Sequence, residues 1–266
     1  MRLFLRQFRA VLAIYIQDGF AYRASGFIWT LTDAMNAVVM PLVWASAAGS
    51  GNINGFTSRD FVQYYLCMLL ITGWVTSHFM WEVANEIKDG QYSAYLVRPL
   101  DVFPFLLARN LAWRCVRTII FLPLFAVILW AYSSMLAGAT YYFGWHFWVA
   151  LVFGHLVSVT FVLALANLAL VFQEAQAIFE LYYFPMLFLS GQLFPISLLP
   201  DWAQRLSYAF PFYFTTALPT EVLIGRVSPA ESLPLIGGQL IWISVSVVAY
   251  RLLFRWGIRN YSAVGM

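Results

Sequence analysis

The chain has 266 residues, of which 62% are hydrophobic and only 10% charged, with a formal net charge of +3. A soluble domain carries roughly 25% charged residues and about half apolar ones, so this composition excludes an ordinary soluble fold and points to a protein that sits in lipid. The small net charge gives no reason to expect a polyanion, and no nucleic-acid partner is expected. The two cysteines, Cys67 and Cys115, lie in or beside apolar runs without metal-ligand spacing and read as small core residues.

Phe4, Phe8, Leu12, Tyr15 and Ile16 recur at helical spacing, with Arg2, Arg6 and Arg9 on another side. Residues 1–22 are therefore predicted to form an amphipathic helix in the cytoplasmic headgroup layer. Arg6 and Arg9 interrupt the apolar stretch and no small-residue cleavage site follows, which argues against a signal peptide. Crossing a bilayer takes about 20 apolar residues, and residues 26–48, 61–81, 116–137, 145–172, 175–194 and 233–254 qualify. The predicted fold is an all-α polytopic membrane protein with six transmembrane helices in one domain, 1–266.

Charge placement orients it. Arg2, Arg6, Arg9 and Arg23, then Lys88, Arg98, Arg109, Arg114 and Arg117, then Arg251, Arg255 and Arg259 fall on one side, against Arg59, Arg205 and Arg226 on the other. By the positive-inside rule both termini are cytoplasmic.

Within the first span, Asp33 would cost about 2.5–3.5 kcal/mol if bare, so it is expected to face protein or water, with Asn36 beside it and pairing favoured over cargo contact. Connectors GSGNING (49–55) and AGATYYFG (137–144) are turn-rich. The loop 82–104, "EVANEIKDGQYSAYLVRPLDVFP", begins as a continuation of the second span, carries Glu82, Glu86, Lys88 and Asp89, and has Gly90 as a helix stop. Glu180, with Gln173 and Glu174 nearby, is expected close to the cytoplasmic surface, against Arg114 and Arg117 or a partner. Beyond the fifth span, "FLSGQLFPISLLPDWAQRLSYAFPFYF" is apolar yet holds Pro195, Pro200 and Pro211. A helix reaching Phe194 is expected to break at Pro195. Residues 200–210 then read as a short helix with Asp201 at its positive end and Trp202, Leu206 and Phe210 along one side. Irregular backbone at membrane depth survives only where protein or water satisfies it, so residues 195–218 are expected to form a re-entrant or surface-hugging cap on the outer side.

Enzymatic motifs are missing. A phosphate-binding loop needs a Gly-rich turn followed by Lys and Ser or Thr, and the single lysine, Lys88, precedes Asp89. His78, His146 and His155 are scattered, and no nucleophile elbow, HExxH or paired-acid cluster is present. Neither a metal site nor an enzymatic activity is expected, and the histidines read as hydrogen-bonded packing.

The stretch "LSGQLFPISLLPDWAQRLSYAFPFYFTTALPTEVLIG" resembles the signature of ABC-2 type transporter permeases, with Gly191, Phe194, Pro195, Pro200, Trp202 and Pro211 at the motif positions. The loop pattern E-I-x-x-G-x-x-x-x-Y-L-x-x-P, here Glu86, Gly90, Tyr95, Leu96 and Pro99 with Arg98 between, is similar to a subgroup of bacterial ABC-2 permeases. The resemblance implies the membrane subunit of an ABC exporter in the bacterial cytoplasmic membrane. It implies two short re-entrant helices after the fifth span, and a cargo path between spans one, two and five of paired copies, or of one copy and a related six-span partner. Separate ATPase subunits would hold ATP and Mg and take the loop around residues 86–96 as a coupling helix; this chain would hold no cofactor. The aromatic rim Tyr182, Tyr183, Phe184 and Phe188 would suit amphipathic or lipid-linked cargo. Two other classes stay open on residues alone: an ATP-independent ion-coupled carrier or channel, which would need a relay of intramembrane charges around Asp33, and a lipid-modifying enzyme, which would need a catalytic cluster. An obligate ATPase partner discriminates the first reading from both.

Overall fold

The computed structural model describes residues 2–97, 101–172 and 174–261 of the chain. Helix α1 (Arg2–Ala21) turns at Tyr22 into α2 (Arg23–Ala48). Both lie against α6 (Val102–Ala131), where small residues set the approach: a Cβ on Gly19 would fall 2.9 Å from Val116, and one on Gly26 3.1 Å from Ile120. The predicted interfacial helix is thus packed on a neighbouring helix along part of its length, with Val11 and Tyr15 against the core.

The connector after α2 is a minimal hairpin, β1 (Asn52–Ile53) paired antiparallel with β2 (Phe56–Thr57). Its two-residue turn is Asn54-Gly55, both with positive φ, as a tight hairpin matched to strand twist requires. Thr57 then opens α3 (Ser58–Val75) with a reciprocal capping box to Asp60. Replacing Thr57 by Ala leaves a helix N–H without its acceptor and is expected to cost about 1 kcal/mol, read as a lower thermal unfolding midpoint in detergent.

The predicted second span is interrupted. It consists of α3, a four-residue break at Thr76–Phe79, and α4 (Met80–Lys88). Gly90, at φ 74, reverses the chain, and the short α5 (Ser93–Leu96) follows. Helix α6 begins at Val102, well before the expected residue 116, so Arg109 and Arg114, like Arg117, lie inside a helix and not in a loop. The longer start follows from an uninterrupted run of helix-compatible residues whose Pro104 falls in the first turn, where its missing N–H costs nothing.

Helix α7 (Trp145–Ala166) tightens into a 3-10 turn at Asn167–Leu170, and α8 (Ala175–Leu189) follows. The end of α8 corrects the expectation of a break at Pro195: the helix stops five residues short of Phe194, because Gly191 takes a left-handed φ of 83. A 3-10 turn (Ile196–Leu198), α9 (Asp201–Ala209), a π-helical segment (Tyr213–Ala217) and α10 (Leu218–Leu223) lead to the long α11 (Pro229–Asn260). Helices α7 and α11 run side by side in the same direction, with Gln239 at Ala150, Asn167 at Tyr250 and Gly257 at Leu170.

Among the described residues, four helical stretches are long and apolar enough to cross a membrane: Ser58–Lys88, Val102–Ala131, Trp145–Leu170 and Pro229–Arg259. Shorter apolar helices lie at Val38–Ala48, within α2, and at Ala175–Leu189. The protein is an all-α, multi-pass membrane protein. Of the four buried clusters among the described residues, the two largest sit at opposite ends of the bundle. One joins Met80, Ile87, Tyr92, Phe105, Leu163 and Phe179 around α4 and α5, and the other joins Ile71, Phe147, Ile196, Tyr213, Leu218 and Ile236 near the hairpin. Apolar side chains also face outward, as Phe27 and Ile28 on α2, Leu181 and Phe184 on α8 and Ile241 and Leu252 on α11 do, which is the surface a lipid or a second chain would cover.

Candidate functional site

The residues after α4 form a clamped loop. Glu86 Oε1 accepts from Arg109 Nη1 at 2.5 Å and from the Tyr95 hydroxyl at 2.9 Å, and Arg109 Nη1 is 3.2 Å from that hydroxyl. The Arg109 guanidinium also lies 5.9 Å from the centre of the Tyr15 ring, and its Nη2 is 3.8 Å from Glu82 Oε2. Residues from α1, α4, α5 and α6 therefore meet on one guanidinium. The Arg109 and Glu86 side chains are only 12% and 17% exposed, so the pair is shielded from solvent and losing one partner strands the other. Burial pushes the Tyr95 phenol up to about 12, with Arg109 pulling the other way and Glu86 adding to the rise, so it remains a donor near neutral pH.

The clamp fixes which side of the loop faces out. Tyr92 is buried and its backbone N–H bonds Glu86 O, while Tyr95 packs on Phe105 at 4.9 Å. Lys88, Asp89, Gln91, Leu96 and Val97 are exposed, Val97 at 85%. An apolar tip bordered by charge, held on a rigid base, is a surface suited to docking. Arg98 and Pro99, expected in the same loop, lie outside the described residues.

The break between α3 and α4 is held by a buried arginine. Arg114 donates through Nη1 to Gly73 O at 2.8 Å, and through Nη2 to Thr76 O at 2.5 Å, Ser77 Oγ at 2.9 Å and Val75 O at 3.5 Å, while Nε bonds Asn110 Oδ1 at 2.9 Å. A helix that ends leaves carbonyls without partners and a partial negative charge. The guanidinium answers both, where each orphaned buried group would otherwise cost about 1–3 kcal/mol. Ser77 N donates to Ser158 Oγ on α7, and Gln192 Nε2, beyond α8, reaches Thr76 Oγ1.

Beside the break lies a cavity of about 900 Å³ between α1, α2, α3, α4, α6 and α8. One part is neutral, with Tyr65, Met68, Thr72 and Gln192. The other holds rings and charges, including His78, Trp81, Trp113, Arg117, Glu180 and Tyr183. His78 and Trp81 stand 5.7 and 5.8 Å, ring centre to ring centre, from Tyr183 across the mouth.

At the opposite end, the segment after α8 is satisfied almost wholly by hydroxyls. Leu189 O accepts from Ser207, Ser190 O from Thr216 at 2.8 Å, Gly191 O from Tyr64 at 2.7 Å and Leu193 O from Tyr65 at 2.7 Å. Irregular backbone inside a lipid-embedded bundle needs such partners. Phe194 packs on Trp44 and Phe188, and Pro211 is buried. On α9 the buried face is Ala203 and Ser207, leaving Trp202, Leu206 and Phe210 exposed.

Residues 30–265 match the sequence profile of the family described as "ABC-2 family transporter protein". The chain belongs to the ABC-2 transporter family. It is also 25% identical, over 146 residues, to the protein named "Probable multidrug ABC transporter permease YbhR" in Escherichia coli K12, and equally to its counterpart in Escherichia coli O157:H7. That alignment covers 55% of this chain and 39% of the relative, so the chain spans about two fifths of the curated relatives' length. Membership makes this a membrane-embedded member of a transporter family.

In this ABC-2 chain the sequence-derived loop residues Glu82, Glu86 and Tyr95 converge, whereas Lys88, Asp89 and Leu96 point away from them. Glu180 lines the cavity together with Arg114 and Arg117, but the hydrogen bonds of Arg114 go to carbonyls, Ser77 and Asn110, and not to Glu180. The side chains of Asp33 and Asn36 lie outside the described residues. His146 bonds Tyr142 at 2.7 Å and His155 approaches Val75 O at 3.4 Å, in keeping with packing roles. Sequence reasoning missed the roles of Arg109, Arg114 and Tyr15: Arg109 was counted only as orienting charge, Arg114 as that and as a contact for Glu180, and Tyr15 only as part of the apolar face of the first helix. The available signal was the helical face Asn110, Trp113, Arg114, Arg117, spaced i, i+3, i+4, i+7.

Proposed function

We propose that this chain is the permease subunit of an ATP-driven exporter: six spans, both termini cytoplasmic, paired with a second copy or a related permease over two ATPase subunits in the bacterial cytoplasmic membrane. The observation that carries the reading is the clamped loop, whose inner residues Glu86 and Tyr95 are locked to Arg109 while Leu96 and Val97 are presented outward. ATP and Mg belong to the ATPase partner. Helix α2, with α8, supplies two of the additional spans, α8 being about 22 Å long for its 15 residues and reaching full depth together with the segment that follows it. The segment 195–218 caps the outer side, and the cavity between α2, α3 and α8 is the cargo path, closed by the partner permease.

Coupling requires the loop to interact differently with the open and closed ATPase. Gly90 holds a left-handed turn that a Cβ disfavours, so Gly90→Ala is expected to lower ATP hydrolysis by the assembled complex several-fold while the spans stay folded. The test is to tag the chain at its C-terminus in its host, extract it in mild detergent, identify what co-purifies and assay ATP hydrolysis. A P-loop ATPase near equal stoichiometry, with activity reduced in Gly90→Ala, supports the reading. Recovery of the chain alone, where control complexes survive, moves it to an ATP-independent carrier. The relative's printed name makes multidrug cargo one option, and the aromatic mouth also fits lipid-linked or other amphipathic molecules.

A further inference from the structure

We propose that Arg114 is a positioning residue for the conformational step of transport: the break at Thr76–Phe79 is a hinge, and the Arg114 guanidinium is its pivot. The inference rests on the coupling reading and adds the route by which movement of the loop reaches the cavity. Three observations carry it.

First, the break itself contains no helix-breaking residue. Thr76, Ser77, His78 and Phe79 include neither proline nor glycine, the usual sources of a sharp interruption. It is imposed by partners: Arg114 from α6 bonds Thr76 and Ser77, Ser158 from α7 bonds Ser77, and Gln192 from the segment after α8 bonds Thr76. A helix interrupted by tertiary contacts where continuation was chemically open has two arrangements within reach.

Second, α4 joins two regions that must move together. Its nine residues, about 13 Å in length, carry Glu86 of the clamp, while Trp81 and Glu82 line the cavity. His78, at the hinge itself, and Trp81 face Tyr183 across the mouth. Turning α4 about the break would therefore change the clamp and the mouth in one motion, and Gln192 on Thr76 would bring the segment leading to the cap into it.

Third, the pivot has the chemistry to hold through such a motion. A guanidinium presents five N–H groups in a fixed fork, and carbonyl oxygens accept over a broad range of directions. Arg114 bonds acceptors on both sides of the point where α3 ends, Gly73 O and Ser77 Oγ, so it can exchange among neighbouring carbonyls as α4 turns without leaving one exposed to the apolar interior. Lysine keeps the charge but cannot span these acceptors.

The test is hydrogen exchange by mass spectrometry on the co-purified complex in lipid nanodiscs, with and without a non-hydrolysable ATP analogue. The expected result is at least a fivefold nucleotide-dependent change in exchange for amides 76–80, with amides 62–70 of α3 unmoved. In Arg114→Lys that difference is lost although the loop 89–97 still responds to nucleotide. A purely structural cap predicts instead that Arg114→Lys raises exchange equally in both nucleotide states. The wild-type comparison needs no variant to fold. If loop 89–97 responds and 76–80 does not, or if Arg114→Lys keeps the wild-type difference, the hinge is overturned with the coupling reading intact. If no ATPase co-purifies, or loop 89–97 does not respond, the coupling reading itself falls.

Discussion

Replacing Arg109 by methionine is expected to destabilise the protein by about 3–5 kcal/mol, the scale seen when one member of a buried ion pair is removed, and to reduce ATP hydrolysis by the assembled complex by roughly tenfold or more. Glu86 would keep its charge in a shielded position with the Tyr95 hydroxyl as its remaining donor. The loop then moves to bring the carboxylate to water, which takes Tyr95 from its place on Phe105. Glu86→Gln is expected to do less harm, because Arg109 still has Glu82 at 3.8 Å and the Tyr15 ring beneath it. The informative variant is the double replacement, Glu86→Gln with Arg109→Met, which removes both charges together and should recover part of the stability lost by Arg109→Met alone. Thermal unfolding of the three variants in detergent reads stability, and ATP hydrolysis with the partner ATPase reads coupling. Recovery of stability without recovery of hydrolysis would separate the two roles of the clamp. A single Arg109→Met that unfolds and hydrolyses like the wild type would remove the clamp from both.

What could be read from the chain before its structure follows from the range of the forces involved. The turn-rich connector 49–55 and the Gly90 stop were legible because they are local, set within three or four residues, and the alternation of apolar runs with charged loops is a solvent effect that any window reveals. Glu86 and Tyr95 were legible as members of one loop motif. Their lock, Arg109, was not, because it stands 23 positions after Glu86 on a helix whose start the sequence placed too late. The break at Thr76–Phe79 was invisible for a sharper reason: its residues are compatible with helix, and what stops them is an arginine 38 positions away from Thr76. Proline misled at one place only. Pro41, Pro123, Pro185 and Pro234 lie inside helices, as the expected spans allowed, whereas the helix that was expected to break at Pro195 ends at Leu189, just before the left-handed Gly191.

A glycine on α7 is predicted to matter more to the cap than any of its prolines. A Cβ built on Gly154 would sit 2.4 Å from the backbone oxygen of Thr215 and 3.3 Å from that of Phe214. Both belong to the π-helical segment, whose wider turn pushes these carbonyls toward α7. Gln239, wholly buried on α11, donates from Nε2 to Phe214 O at 2.9 Å and to Ala150 O of α7 at 2.8 Å, which ties the neighbouring carbonyl to α7. Backbone tied in this way cannot yield as a flexible side chain would, and Gly154→Ala should therefore behave as overpacking, at about 1–3 kcal/mol, with the strain delivered to the segment whose Thr216 caps Ser190 O at the end of α8. The matched control is Gly237→Ala on α11, where an added Cβ meets nothing within 4 Å. There only the helix preference of alanine acts, and the change should be neutral or stabilising by up to about 1 kcal/mol. Comparing the two by thermal unfolding, together with limited proteolysis of residues 190–210, separates the general effect of losing a glycine from the specific contact. A lower midpoint and faster cleavage in Gly154→Ala alone would place the rigidity of the cap in the carbonyls of the π-helical segment, and equal behaviour of the two variants would mean that α7 can move aside and that the cap is held by its hydroxyl network instead.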